Sequence, residues 1–190
     1  MFGTITDRLI ATIISVGSLF FPFIDGIEPA FNDVWLSIVE NSLVLSMQLE
    51  NCYTAELDKI LMSGQPVTLR FRAELFDKAQ KQPVLTKQFY HTLRYNPLEK
   101  QYRLYSSEKD NNDYYSTLQL VHLNFSSLSG VKLLKPGDLE KEHDYFIRLT
   151  AHLDPITFIG EKSDFDLMLY WNNKKPAVNT ETFNISLFYH

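Results

Sequence analysis

One stretch limits what this chain can fold into more than any other. Across residues 65–76, Val67, Leu69, Phe71, Ala73 and Leu75 alternate with Thr68, Arg70, Arg72 and Glu74. Successive side chains of a strand point to opposite faces, so the segment has one apolar face and one charged face. Such a strand belongs in a sheet that lies on a core with one side and meets water with the other.

The same alternation recurs along the chain. Residues 34–39 and 43–49 flank Glu40-Asn41-Ser42 and read as a hairpin. A short helix is expected over about 54–63, with Thr54 as its cap, Glu56 in its first turn and Leu57, Ile60 and Leu61 inward. Gly64 and Pro66 end it. A second long strand runs from Pro83 to about Tyr95, where Leu85, Phe89 and Leu93 alternate with Thr86, Gln88, Tyr90, Thr92 and Arg94. Asn96-Pro97-Leu98-Glu99-Lys100 is a turn, and residues 101–106 return from it. A second helix is expected over 113–123, then a break at 126–130 and a short strand at 131–134. Residues 145–153, 165–171 and 183–189 alternate as three more strands. Strands joined by short polar turns, with only two short helices between them, favour antiparallel pairing over parallel βαβ units. The expected fold is mainly β (α+β): an antiparallel β-sandwich-like sheet with two short helices and an N-terminal apolar leader helix. No repeat or second boundary is visible, so residues 31–190 read as a single antiparallel β domain.

The leader is the apolar run over residues 9–21, preceded by Arg8. It is short for a bilayer span of about 20 residues and suits a signal-peptide core of roughly 7–15. Residues 1–26 are therefore read as a signal peptide or membrane anchor, with Gly26 and Ala30 the best-placed residues before a cut. Membrane contact through residues 9–24 follows if the segment is retained. The competing reading is a buried helix in a cytoplasmic fold.

Composition narrows the chemistry. A content of 45% apolar and 14% aromatic residues belongs to a globular chain, and a net charge of -5 argues against nucleic-acid binding. Cys52 is the only cysteine, which excludes an internal disulfide and a cysteine-rich metal site. It reads as a small buried apolar residue. There is no GxSxG elbow, glycine-rich phosphate loop, HExxH or DxDxDG pattern. No catalytic residue, cofactor or metal ligand is therefore expected, and the chain reads as non-enzymatic. A weak polar cluster is formed by Arg148, His152 and Asp154 along one strand side; two ligands or an acid–base couple need such a pair, but Asp154-Pro155 is also an ordinary turn start. From Arg70 to Arg103 eight bases face three acids, a net of +5, which leaves -10 for the rest of the chain. Arg70, Arg72, Lys87, Arg94 and Arg103 are the candidate interaction surface for an anionic partner. The other reading is a solvated set of edge-protecting charges.

Several short motifs stand in a recognisable order: Ser63-Gly64-Gln65-Pro66-Val67-Thr68, the hairpin over 93–104, Tyr115-Ser116-Thr117-Leu118, and Arg148-Leu149-Thr150-Ala151-His152-Leu153-Asp154. In this order the chain resembles the uncharacterised bacterial family called domain of unknown function 4390, over about residues 34–171. It departs from the family pattern at Pro155-Ile156, where a Leu-Pro is expected, and in the final strand pair. The resemblance implies an exported bacterial envelope protein, in the periplasm or anchored facing it, with no activity or cofactor to carry over. Members are often encoded beside sensor kinases, which implies an envelope-sensing accessory role.

Three functions fit these residues. The first is a non-enzymatic envelope module whose partner is another envelope protein. The second is a binder of an apolar or amphipathic ligand between the sheet and its helices. The third is a hydrolase using His152 and Asp154. The first needs the fewest assumptions. A reporter fused after residue 40 is expected outside the cytoplasm, and its retention in the cytoplasm would overturn the export reading.

Overall fold

The alternating stretch becomes the central strand of the molecule. In the computed structural model, which describes residues 28–158 and 162–188, Val67–Asp77 pairs antiparallel with Pro83–Asn96 on one edge and with Asp144–Leu153 on the other. Val67, Leu69, Phe71, Ala73 and Leu75 are all buried, while Arg72 is exposed and Thr68, Arg70 and Glu74 are partly so. The leader expected over residues 1–26 lies outside the described residues.

In chain order the elements are β1 (Ala30–Val39), β2 (Ser42–Glu50), α1 (Ala55–Met62), β3 (Val67–Asp77), β4 (Pro83–Asn96), β5 (Gln101–Ser106), β6 (Asn111–Tyr115), α2 (Leu118–Phe125), β7 (Ser127–Leu134), β8 (Asp144–Leu153), β9 (Ile156–Thr157), β10 (Asp164–Phe165), β11 (Ala177–Asn179) and β12 (Phe183–Asn184). Single 3-10 turns occupy Pro136–Asp138, Leu167–Trp171 and Ile185–Phe188. A large sheet has the order β11-β8-β3-β4-β5-β6, with β12 also on β8; a small sheet has the order β1-β2-β7; β9 and β10 form a ribbon. All these pairings are antiparallel. The expected fold class holds: the protein is mainly antiparallel β with two short helices and unclosed sheets.

One apolar cluster joins the inner faces of both sheets and the inward sides of α1 and α2. Thr54 caps α1 by accepting from the Leu57 amide, and Leu57, Ile60 and Leu61 are buried, as the sequence predicts. Gly64, at φ +86°, makes the left-handed exit from the helix. In the small sheet, buried positions shift from Leu128 to Val131 and Leu133, because one extra residue around Gly130 bulges β7 against β2. Gly130 has φ +63°, and its amide donates to Ser46 Oγ at 2.8 Å. The expected break at 126–130 is thus a bulge inside a longer strand.

Three other expectations change. Residues 111–115 join the sheet as β6, since Arg103 and Tyr102 pair with Tyr114 and Tyr115, so the second helix starts only at Leu118. The expected strand over 165–171 is mostly a 3-10 turn. Asp166 accepts from the Met168 amide to start it, Leu167, Met168 and Trp171 pack inward, and Leu169 is exposed. The final strand stops at Asn184, whose side-chain oxygen takes the Ser186 amide and turns the chain.

A buried polar group sits inside this apolar frame. His91 lies between Phe89 and Leu93 on the inner face of β4 and is 1% exposed. Its Nδ1 is 2.7 Å from the Phe125 carbonyl, at the end of α2, and its Nε2 is 3.0 and 3.1 Å from the two oxygens of Glu108. Both partners are acceptors, so both ring nitrogens donate and the buried pair is ionic. Burial pulls the Glu108 carboxyl upward, but the hydrogen bond and charge of His91 hold it below the usual carboxylate range.

The two faces of β3 have different energetic weight. Phe71 is 2% exposed and meets the His91 ring edge-on at 5.3 Å, so Phe71→Ala is expected to cost about 3–5 kcal/mol through the cavity it leaves. Arg72 makes only a surface pair with Glu74 at 2.7 Å, and Arg72→Ala should stay within about 0.5 kcal/mol. Denaturant melts of the two variants check this, and equal losses would contradict the register.

Candidate functional site

The outer face of the large sheet carries most of the residues singled out in the sequence. Register fixes its rows. Thr68 stands beside Thr92, Arg70 between Tyr90 and His152, Arg72 between Gln88 and Thr150, and Glu74 between Thr86 and Arg148. Further along, Arg94, Arg103 and Tyr114 form one rung across β4, β5 and β6. Arg70, Arg72, Arg94 and Arg103 therefore share this face. Lys87 does not: it pairs with the buried Ala73 and stands half-buried on the opposite side. Parity decides this, since Lys87 falls in the same alternation as Leu85 and Phe89.

Within the face, the arginines divide into two groups. Arg70 Nε donates to both oxygens of Asp154, at 2.7 and 2.8 Å, and its guanidinium lies 5.2 Å from the centre of the Tyr90 ring. Arg72 is held by Glu74. Arg148 lies 4.9 Å from the centre of the Phe76 ring and donates to Asn179 Oδ1 at 3.3 Å. The side chains of Arg94 and Arg103, in contrast, make no ion pair, hydrogen bond or ring contact with the described residues. They line a cavity of about 430 Å³ with Asn96, Gln101 and Tyr114.

The polar cluster of Arg148, His152 and Asp154 is only partly drawn together. His152 Nε2 is 3.6 Å from Asp154 Oδ1, but Asp154 already holds Arg70, and Arg148 is engaged one rung beyond Thr150. Burial pushes the His152 imidazole below its ordinary value, against the pull of Asp154. The result is a neutral ring beside a carboxylate that acts as a strut between β3 and the end of β8. Among the described residues no group of three or more His, Cys, Asp or Glu side chains is placed to hold a metal. Cys52 is buried, its thiol faces the Leu49 carbonyl, and burial pushes it up to about 12, so it is a packing residue.

The family model for the domain of unknown function (DUF4390) matches residues 29–157. The chain belongs to that family. No curated protein and no solved structure matches it. The matched span covers β1 through β9, both helices and the whole Arg94–Arg103 rung. It stops short of Trp171, to which the sequence resemblance was read.

Sequence reasoning missed two features of this domain. Tyr114 joins the rung because its segment is a strand and not a helix. His91 was visible as an odd-numbered, hence inward, residue of β4, and an inward histidine has to be matched by buried acceptors.

At the far end of β3, a second histidine forms a contact whose strength depends on pH. Asp77 accepts from the Ala79 amide, from Gln80 and from His143 Nδ1, at 2.8, 3.2 and 2.6 Å. The Ala79 amide and then His143 hold the Asp77 carboxyl below its ordinary value of 3.8, while the bond to Asp77 lifts His143 above 6.5. A raised histidine stabilises fully below its unfolded value and loses the effect as pH rises through the folded one; a depressed carboxylate loses its effect as pH falls through its folded value. The pair thus stabilises most between about pH 4 and 6.5. Compared with the native chain across pH, His143→Gln should lack the decline in melting temperature above that window and keep much of the acid limb through Ala79. An unchanged alkaline decline in the variant would remove this pair as its source.

Proposed function

We propose that this domain is a non-catalytic interaction module of the bacterial cell envelope, exported to the periplasm or anchored facing it, with an accessory role in envelope sensing. Its partner is another envelope protein, and the outer face of the large sheet is where they meet. One observation carries the reading. The inner face of that sheet is sealed by the small sheet and both helices, whereas no described residue covers the outer face, where Arg94 and Arg103 stand uncommitted. A face of this kind attracts an anionic partner and adds specificity to docking. The apolar run behind Arg8 and the family membership support the envelope setting. The His152–Asp154 pair is tied into the sheet, which favours a structural role for it over hydrolysis. The space lined by Cys52, Leu57, Leu61, Val67, Leu93 and Phe125 measures about 10 Å³, which gives the apolar-ligand reading no comparable support.

A photo-crosslinking residue at Gln88 or Asn112 is expected to join a discrete envelope protein, with a yield that falls as the Debye length shrinks from about 10 to 3 Å between 0.1 and 1 M salt. Adducts formed only from Ser37, on the far side of the small sheet, would place the interface elsewhere and overturn the proposal.

A further inference from the structure

The cavity at the β4–β5 end of the outer face has a chemistry of its own. Arg94 and Arg103 are direct cross-strand partners. Such neighbours have Cβ atoms about 4.5–5.5 Å apart, and like charges there destabilise the sheet. Every other arginine on this face is engaged with a carboxylate, an amide or a ring, but these two are not. The cavity beside them, about 430 Å³, is large enough for a small organic ligand. Its wall adds neutral donors. Asn96 Oδ1 takes the Leu98 and Glu99 amides at 3.0 and 3.3 Å, which leaves Nδ2 as the unspent end of that side chain. Tyr114, 61% exposed, offers a hydroxyl and a flat ring.

The geometry points to a binding site for a phosphomonoester between Arg94 and Arg103, with Asn96, Gln101 and Tyr114 around the group that carries it. Charge and geometry select this class. A carboxylate brings one negative charge and neutralises half of the pair. A phosphomonoester brings about -1.5 to -2 at pH 7 and three acceptor oxygens, enough for two guanidinium forks. Bound phosphate also turns the repulsion within the rung into attraction to a shared anion. Glu99 is the one carboxylate among the cavity-lining residues, and it disfavours a second anionic group on the turn side. The inference rests on the cavity alone and stands whether or not the domain is exported or has a protein partner.

The test uses the full chain in neutral detergent, with the arginine Nε–H resonances followed by NMR. Glycerol 1-phosphate is expected to shift those of Arg94 and Arg103 and leave Arg72 unmoved. R94Q/R103Q should lose at least about tenfold in affinity yet melt at the same temperature or higher, because the like-charge rung is gone; E99Q should bind more tightly. Flotation with phosphatidylcholine vesicles, with and without phosphatidic acid, separates the sources of the phosphate. Capture that needs both phosphatidic acid and the two arginines assigns the site to a lipid headgroup; shifts with glycerol 1-phosphate and no such capture assign it to a soluble phosphate. The proposal is overturned if both probes leave Arg94 and Arg103 unmoved, if R94Q/R103Q responds as the native chain does, or if succinate at equal ionic strength acts as strongly.

Discussion

The buried ion pair of His91 and Glu108 is the constraint that ties the parts of this fold together. Through it the middle of β4 holds both the end of α2, at the Phe125 carbonyl, and the turn between β5 and β6. An apolar side chain at position 91 would pack there without fixing how α2 sits. An imidazole with two hydrogens needs two acceptors in set directions, so it specifies one arrangement of helix, strand and turn. The α2 carbonyl is well matched to it, because the C-terminal end of a helix carries partial negative charge. Buried ion pairs add little net stability over an apolar substitute, since both charges leave water. Their value here lies in geometry: with α2 pinned, Val121 and Phe125 point into the core and the β5–β6 hairpin extends the sheet outward.

That extension creates the Arg94–Arg103–Tyr114 rung. Without β6 beside β5, Tyr114 would not stand next to Arg103, and the cavity would lack one wall. The contrast with the rest of the outer face is one of charge balance. Over β3 and β8, Arg70 has Asp154, Arg72 has Glu74, and Arg148 rests on Phe76, so that half is electrostatically closed. In the far half, no described carboxylate pairs with Arg94 or Arg103, and Glu99 lies among the residues lining the cavity. A single sheet thus separates a self-satisfied structural region from one whose donors remain free for another molecule.

Much of this was legible in the sequence, and the limits have physical causes. Period-2 alternation identified β2, β3, β4 and β8, because each has one side against the core. Thr54, Gly64 and Pro66 bounded α1 by capping and left-handed geometry, and the structure keeps those bounds. The same alternation misled at 165–171, where a 3-10 turn places Leu167, Met168 and Trp171 inward at a spacing that three or four residues cannot distinguish from a strand. At 111–115 the miss was of another kind: a helix is expected from 113, because this edge strand of polar residues has no buried face strong enough to announce itself. For the candidate site, residue types were readable and partners were not. Arg70 and Arg94 look alike in sequence; only the pairing of β3 with β8 brings Asp154 to the first, and no described carboxylate reaches the second. Lys87 could have been excluded by parity alone.

The segment beyond the family match bears on where the domain ends physically. Residues past 157 lie outside the matched span, yet Trp171 is fully buried and its indole donates to the Cys52 carbonyl at 2.9 Å. Leu167 and Phe183 are buried with it, and the Thr180 hydroxyl takes the Ile147 amide of β8. These residues close the apolar cluster beside α1 and give β8 its outer neighbours, β11 and β12. Asp154, the carboxylate that neutralises Arg70, follows directly on the end of β8. The balanced half of the outer face therefore depends on a C-terminal segment that pairs with β8, at the other side of the sheet from the Arg94–Arg103 rung. The segment acts on that face by fixing the strand on the other side of β3.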